Sequence, residues 1–197
     1  MAKINIDLTT NVDISAREGD TFELDLGVTK EDGTSFDFID NDIIFVVYGE
    51  GKVPVMLLNS GSTFPFYLTS RSTSNFVTEG ELQKARAISK LIECDINLFT
   101  FVDDATFIVP RYFTNTNPIT GNNPNVFLIQ QLEGGIRLRV QAHSFNIPQG
   151  SYSYELKVAS DLRDVIKGST FGTTSVVDSY YKNSSTWMEG KFTINKN

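Results

Sequence analysis

At 197 residues the chain is long enough for one domain with an insertion, and folding at this size buries roughly 70% of the unfolded surface, so a core forms without staples. It is 40% hydrophobic and holds fifteen Phe and seven Tyr against only 21% charged residues, enough apolar material for that core. A net charge of −7 with scattered basic residues argues against a phosphate-backbone binder, and one cysteine (Cys94) with one histidine (His143) cannot supply a typical zinc site.

The opening stretch MAKINIDLTT holds no apolar core of signal-peptide length. The longest apolar run, Ile43 to Tyr48, is far too short to span a bilayer. The expectation is a chain made in a cytoplasm, with no export route and neither a membrane nor a nucleic acid as partner.

The first clear element is TFELDLGV. Phe22, Leu24, Leu26 and Val28 fall on one face and Glu23, Asp25 and Gly27 on the other, the period-two pattern of a half-buried strand. Asp32-Gly33 follows as a hairpin-turn signal, because Gly accepts positive φ at little cost. SFDFI then alternates again through Phe36 and Phe38. IIFVVY is continuous and reads as a central strand covered on both faces. GEGK turns the chain, and VPVMLL is the next strand, with Pro54 confining it to an edge or sitting at its start.

Residues 61–124 read as an α/β insertion with one short helix. TFPFYL carries Phe64, Phe66 and Tyr67. The helix spans about 79–93, opened by a capping box between Thr78 and Glu81. Leu82, Ala85, Ile88, Leu91 and Ile92 form its apolar stripe, which needs cover from its own sandwich or from a neighbouring subunit. Two short strands around Asp103-Asp104 lead to Arg111, Tyr112 and Phe113, and then to a polar loop over 114–125. Aromatics and Arg are enriched in interface cores. Phe64, Phe66, Tyr67, Arg111, Tyr112 and Phe113 are therefore the candidate partner-binding residues, with core packing and a sugar platform as the other readings.

Strand patterns return after residue 125. VFLIQQL and IRLRVQA are joined across Gly134-Gly135. In PQGSYSYELKVA, Tyr152, Tyr154, Leu156 and Val158 point one way. The polar stretch GSTFGTTSVVDSYYKNSS reads as an extended hairpin connection, and STWMEGKFTIN is the closing strand. Some seven strands in residues 1–60 and 125–197 thus bracket the insertion. Short alternating strands, each with one apolar face to hide, make a two-sheet sandwich.

No set of residues assembles into chemistry. Asp37, Asp40 and Asp42 lie close together and Asp103-Asp104 share a turn, but the spacing is not that of an EF-hand, and solvated turn acids account for them. There is no G-x-S-x-G, no second group near His143 or Cys94, and GEGK lacks phosphate-loop spacing. The reading is of a non-enzyme with no cofactor and no metal.

Four short motifs recur in one order: Gly19 to Phe22 (GDTF), Asp32 to Thr34 (DGT), Gly150 to Leu156 (GSYSYEL) and Gly190 to Ile194 (GKFTI). This outline resembles the immunoglobulin-like modules of tailed-bacteriophage virion proteins, such as baseplate upper proteins, head fibres and capsid decoration proteins. It covers the two flanks, a little over half the chain, and not the insertion. The resemblance implies a mainly β fold, an Ig-like antiparallel β-sandwich. It implies a structural part of a virion, synthesised in the host bacterial cytoplasm, that binds other virion proteins, as a homo-oligomer or in many copies in a symmetric assembly. A capsid-associated decoration or head-fibre protein is the first expectation and a baseplate or tail adaptor the second. A carbohydrate-binding module for host-surface glycan is the alternative from another class.

Overall fold

Alternating and continuous apolar runs are realised as two facing sheets. The computed structural model describes residues 2–5, 10–30, 32–36, 38, 40–60, 86–94, 127–132, 135–140, 147–167 and 175–196. In chain order the strands are β1 (Ala2–Asn5), β2 (Thr10–Asn11), β3 (Ile14–Arg17), β4 (Phe22–Thr29), β5 (Asn41–Tyr48), β6 (Pro54–Asn59), β7 (Phe127–Leu132), β8 (Gly135–Val140), β9 (Gly150–Lys167) and β10 (Ser175–Asn195). One sheet has the order β1-β4-β8-β7. The other runs β2-β10-β9-β5-β6, with β3 also on β10.

That is the strand order of an immunoglobulin-type sandwich, A-B-E-D facing A′-G-F-C-C′. The pairing is antiparallel except at the first three segments. β1 runs parallel to β4, and β2 and β3 run parallel to β10. The leading stretch, in which the sequence pattern marks no strand, therefore contributes to both sheets.

Between the sheets the inward rows meet as expected. Phe22, Leu26 and Val28 of β4 and Ile136, Leu138 and Val140 of β8 face Ile43, Phe45 and Val47 of β5 and Tyr154, Leu156 and Val158 of β9. Phe22 and Phe192 meet edge to face at 5.3 Å, and Phe45 and Tyr154 lie 5.5 Å apart. Immunoglobulin domains commonly place a disulfide and a Trp at this level. Here Tyr154 takes the position of the second cysteine and Phe45 stands on strand C. Two residues earlier, Tyr152 donates its hydroxyl to the Pro148 carbonyl at 2.8 Å, the contact of a tyrosine corner.

The outer face of the four-stranded sheet is charged. Arg137 grips Asp25 with two bonds of 2.7 Å, and this guanidinium holds the Asp25 carboxyl below its ordinary range. The outer face of the six-stranded sheet is apolar over β5 and β6, while β9 places the Glu155–Lys157 ion pair beside them. Residues 86–91 form a helix, α1, and Ile88 and Ile92 lie over Ile44, Val46, Tyr48, Leu57 and Ala159. This explains the continuous run in β5: odd residues enter the sandwich and even residues meet α1. Its own sandwich thus covers the described part of the helical stripe. The capping box and the rest of the insertion lie outside the described residues.

β6 starts at Pro54 and is the edge strand next to β5, as Pro requires. The turn before it includes Gly51 at φ 68. Asp32-Gly33 also turns the chain: the Asp32 carboxylate accepts from the Thr34 amide and hydroxyl at 2.9 and 2.6 Å. The expected returning strand differs, however. Among the described residues, a single bridge between Thr29 and Ser35 forms there. The chain then leaves the first sheet for the second, and Phe36 and Phe38 drop onto Trp187, at ring distances of 4.8 and 5.8 Å. Burial of three rings outweighs a short run of ladder bonds.

Candidate interaction surface

The final hairpin is the longest element. β9 pairs with β5 only from Ser153 to Ser160, yet its pairing with β10 continues to Lys167 opposite Ser175. From Ser160 to Lys167, about 23 Å at roughly 3.3 Å per residue, β9 and β10 are laddered only to each other among the described strands. On the other side, β10 meets β2 only from Met188 onward. Among the described residues, neither edge of this ribbon carries a third strand.

Local chemistry braces the ribbon where it leaves the sandwich. Trp187 sits at a register shift beneath Phe36 and Phe38 and donates its indole N–H to the Ser185 hydroxyl at 2.9 Å. Tyr181 donates its hydroxyl to Asp42 Oδ2 at 2.7 Å, tying β10 to the start of β5. Asp42 is thereby a structural acceptor, while Asp40 is exposed with φ 65 and Asp37 lies outside the described residues. Lys90 of α1 bonds the Asp178 carboxylate. Ser179, fully buried, donates to Asp164 at 2.8 Å. Asp161, at φ 59, accepts two bonds from Arg163, which holds its carboxyl below the ordinary range.

Beyond these braces the ribbon shows apolar groups to solvent. Leu162 and Val165 are 38% exposed and Tyr180 is 37% exposed. Val165 faces Asp178 and Arg163 faces Tyr180 across the ladder. These exposed apolar side chains make an element suited to contact with another chain.

Phe64, Phe66, Tyr67, Arg111, Tyr112, Phe113 and His143 lie outside the described residues, and the structure does not bring them to any site. Cys94 follows α1, half-buried against the apolar cluster under that helix. Among the described residues, no three His, Cys, Asp or Glu side chains converge on a metal-sized site.

Comparison with known proteins adds little to this geometry. No family model matches the chain, and no curated protein matches it. A solved structure described as "Crystal structure of ICOS in complex with ICOS-L and an anti ICOS-L VNAR domain" is similar at 15% identity, over 94% of this chain and 55% of that one, with a TM-score of 0.32. The chain thus spans about half the length of the one it matches. The assignment to an Ig-like β-sandwich rests on the strand order and register given above.

Three tyrosines around the six-stranded sheet titrate abnormally. Burial, reinforced by Glu155, pushes the Tyr48 phenol up, and burial reinforced by Asp42 does the same to Tyr181. Burial, with Asp13 and Glu189 adding to it, pushes Tyr154 up to about 12. An unfolded phenol ionises near 10. Each raised value is stability that is fully present below about pH 10 and lost as pH rises through the folded value. We expect alkaline titration followed by phenolate absorbance to show at least three tyrosines ionising only together with loss of near-ultraviolet circular dichroism. Smooth ionisation of all seven near pH 10 with the fold intact would contradict these placements.

Proposed function

We propose that this chain is a non-enzymatic structural component of a bacteriophage virion, a capsid-associated decoration or head-fibre protein held by other virion proteins in many copies. A baseplate or tail adaptor is the alternative location. The observation that carries the reading is the projecting β9–β10 ribbon with Leu162, Val165 and Tyr180 exposed, because a protein whose task is contact needs such an element.

The four virion-type motifs also fall on the joints of the sandwich. Gly19 to Phe22 leads into β4, Asp32 to Thr34 forms the turn that follows it, Gly150 to Leu156 opens β9, and Gly190 to Ile194 is where β10 meets β3. These are fold-level supports, and the particle itself supplies the test. Phage particles purified on a density gradient should retain the chain in a fixed multiple of the capsid or tail symmetry, read by mass spectrometry and particle imaging. A chain found only in the unassembled fraction would refute the proposal. Binding to a glycan array without particle association would favour the carbohydrate module instead.

A further inference from the structure

We propose that the edge of β10 from Lys182 to Thr186 receives a short extended segment of a partner protein, which pairs with it as an added strand and carries a carboxylate to meet Lys182. In this mode main-chain bonds supply the contact and a few side chains supply the selection.

The edge is open here and closed on either side. Lys182, Asn183, Ser184 and Ser185 are all exposed. Toward the C-terminus, β2 takes the same edge from Met188 onward. The chain reaches β2 from β1, which lies on β4 in the opposite sheet, and β2 begins only at Thr10. Toward the ribbon tip, Ser179 is buried with its amide bonded to Asp178 Oδ1, and Tyr181 packs into the cluster under α1. At roughly 3.3 Å per residue, the stretch between these limits spans about 17 Å.

This gap lies on the sandwich and not on the projecting ribbon. Thr186 pairs with Lys157, Lys157 with Ile44, and Ile44 with Asn59. An added strand therefore extends a sheet with β10, β9, β5 and β6 already in the row, where a lone hairpin would be a marginal support. In an antiparallel ladder alternate residues turn their N–H and C=O away from the partner strand, so the stretch offers donors and acceptors outward.

Charge and size choose the occupant. The Lys182 side chain is 56% exposed, and the carboxylate within its reach, Asp161 at 4.0 Å, is already gripped by Arg163. Asn183, Ser184 and Ser185 set neither bulk nor charge against an approaching strand. A carboxylate across the ladder from Lys182 stabilises the pairing, and a cation there weakens it. The same edge of a second copy does not fit. Antiparallel and centred on Ser184, it would bring its Met188, with β2 beside it, against Tyr180.

The purified full chain tests this without any particle, so the outcome stands apart from the virion reading. Two short capped peptides of alternating Thr and Val serve as probes, one with a central Asp and one with a central Lys. A contact this small is weak, so roughly millimolar peptide is needed. The Asp peptide should shift the amide magnetic-resonance signals of residues 182–186 and slow their hydrogen exchange. The Lys peptide should bind about fivefold more weakly. Lys182→Glu should reverse that preference, and its own amide spectrum reports whether the fold is intact; should it misfold, the two peptides on the wild type decide. Shifts confined to other residues, equal binding of both peptides, or an unchanged preference in folded Lys182→Glu would overturn the proposal. No shift at all would make Lys182 a guard of the edge and would overturn it too. Concentration-dependent shifts of these residues without peptide would give the edge to a second copy, which also refutes it.

Discussion

Tyr154→Ala is expected to destabilise the fold by about 3–5 kcal/mol, a large share of the roughly 5–15 kcal/mol available to a domain. Tyr154 is 1% exposed and lies between Phe45 and Phe192, with ring centroids 5.5 and 6.4 Å away. Removing the ring opens a cavity in the layer joining β5, β9 and β10. It also orphans a polar group, because the Tyr154 hydroxyl donates to the Val12 carbonyl at 2.5 Å. Tyr154→Phe separates the two effects: it keeps the packing and should cost about 1–3 kcal/mol for the unsatisfied carbonyl. Chemical denaturation measures both. An unchanged midpoint for the alanine variant would place Tyr154 outside the core.

The second large effect lies on the other side of the same carbonyl. Gly190 has φ +155, and a Cβ added there would stand 2.5 Å from the Val12 oxygen. Backbone cannot yield as a flexible side chain does. Val12 is itself held, its amide donating to the Glu189 carbonyl at 3.0 Å. Gly190→Ala therefore either forces apart the seam of β2, β3 and β10 or distorts β10, at a cost of about 3 kcal/mol from strain and lost bonds together. If the seam opens, the Tyr154 bond goes with it. Tyr154→Phe and Gly190→Ala should then cost less together than the sum of their separate costs, because both remove one contact. Strict additivity would mean that Val12 does not move. Gly190 begins the GKFTI motif, and this close approach is a physical reason for glycine there.

The sandwich was legible because its strands have one buried face each. Phe22 to Val28 and Tyr152 to Val158 alternate, and Ile43 to Tyr48 does not, since α1 lies on its far side. The ribbon was legible only in outline. Gly168 to Ser185 reads as an extended hairpin connection, and the hairpin forms, but its strand begins already at Ser175. Of the described side chains in this stretch, only Ser179 and Tyr181 turn inward, too few to write an alternating apolar pattern. What marks it is composition alone: Val176-Val177, Tyr180-Tyr181 and neighbouring Ser residues, all tolerant of extended backbone. The return after Asp32-Gly33 was misread for a different reason. Phe36 and Phe38 fit a strand pattern, but tertiary burial against Trp187 decides their conformation. The aromatics of the insertion, Phe64 to Tyr67 and Arg111 to Phe113, drew attention by residue type, which carries no information about who covers them.

The parallel pairing of the leading strands on β10 has a bearing on how the chain reaches this state. Asp13 accepts the amide of Lys191, 178 positions away. On a ribosome, β2 and β3 must wait unpaired while every other strand is made, and one flank of the six-stranded sheet stays open meanwhile. Contacts this distant in sequence slow folding, and exposed edges invite misassociation before closure. The seam at Val12 and Gly190 should thus be a late step of folding: substitutions there should speed unfolding far more than they slow refolding.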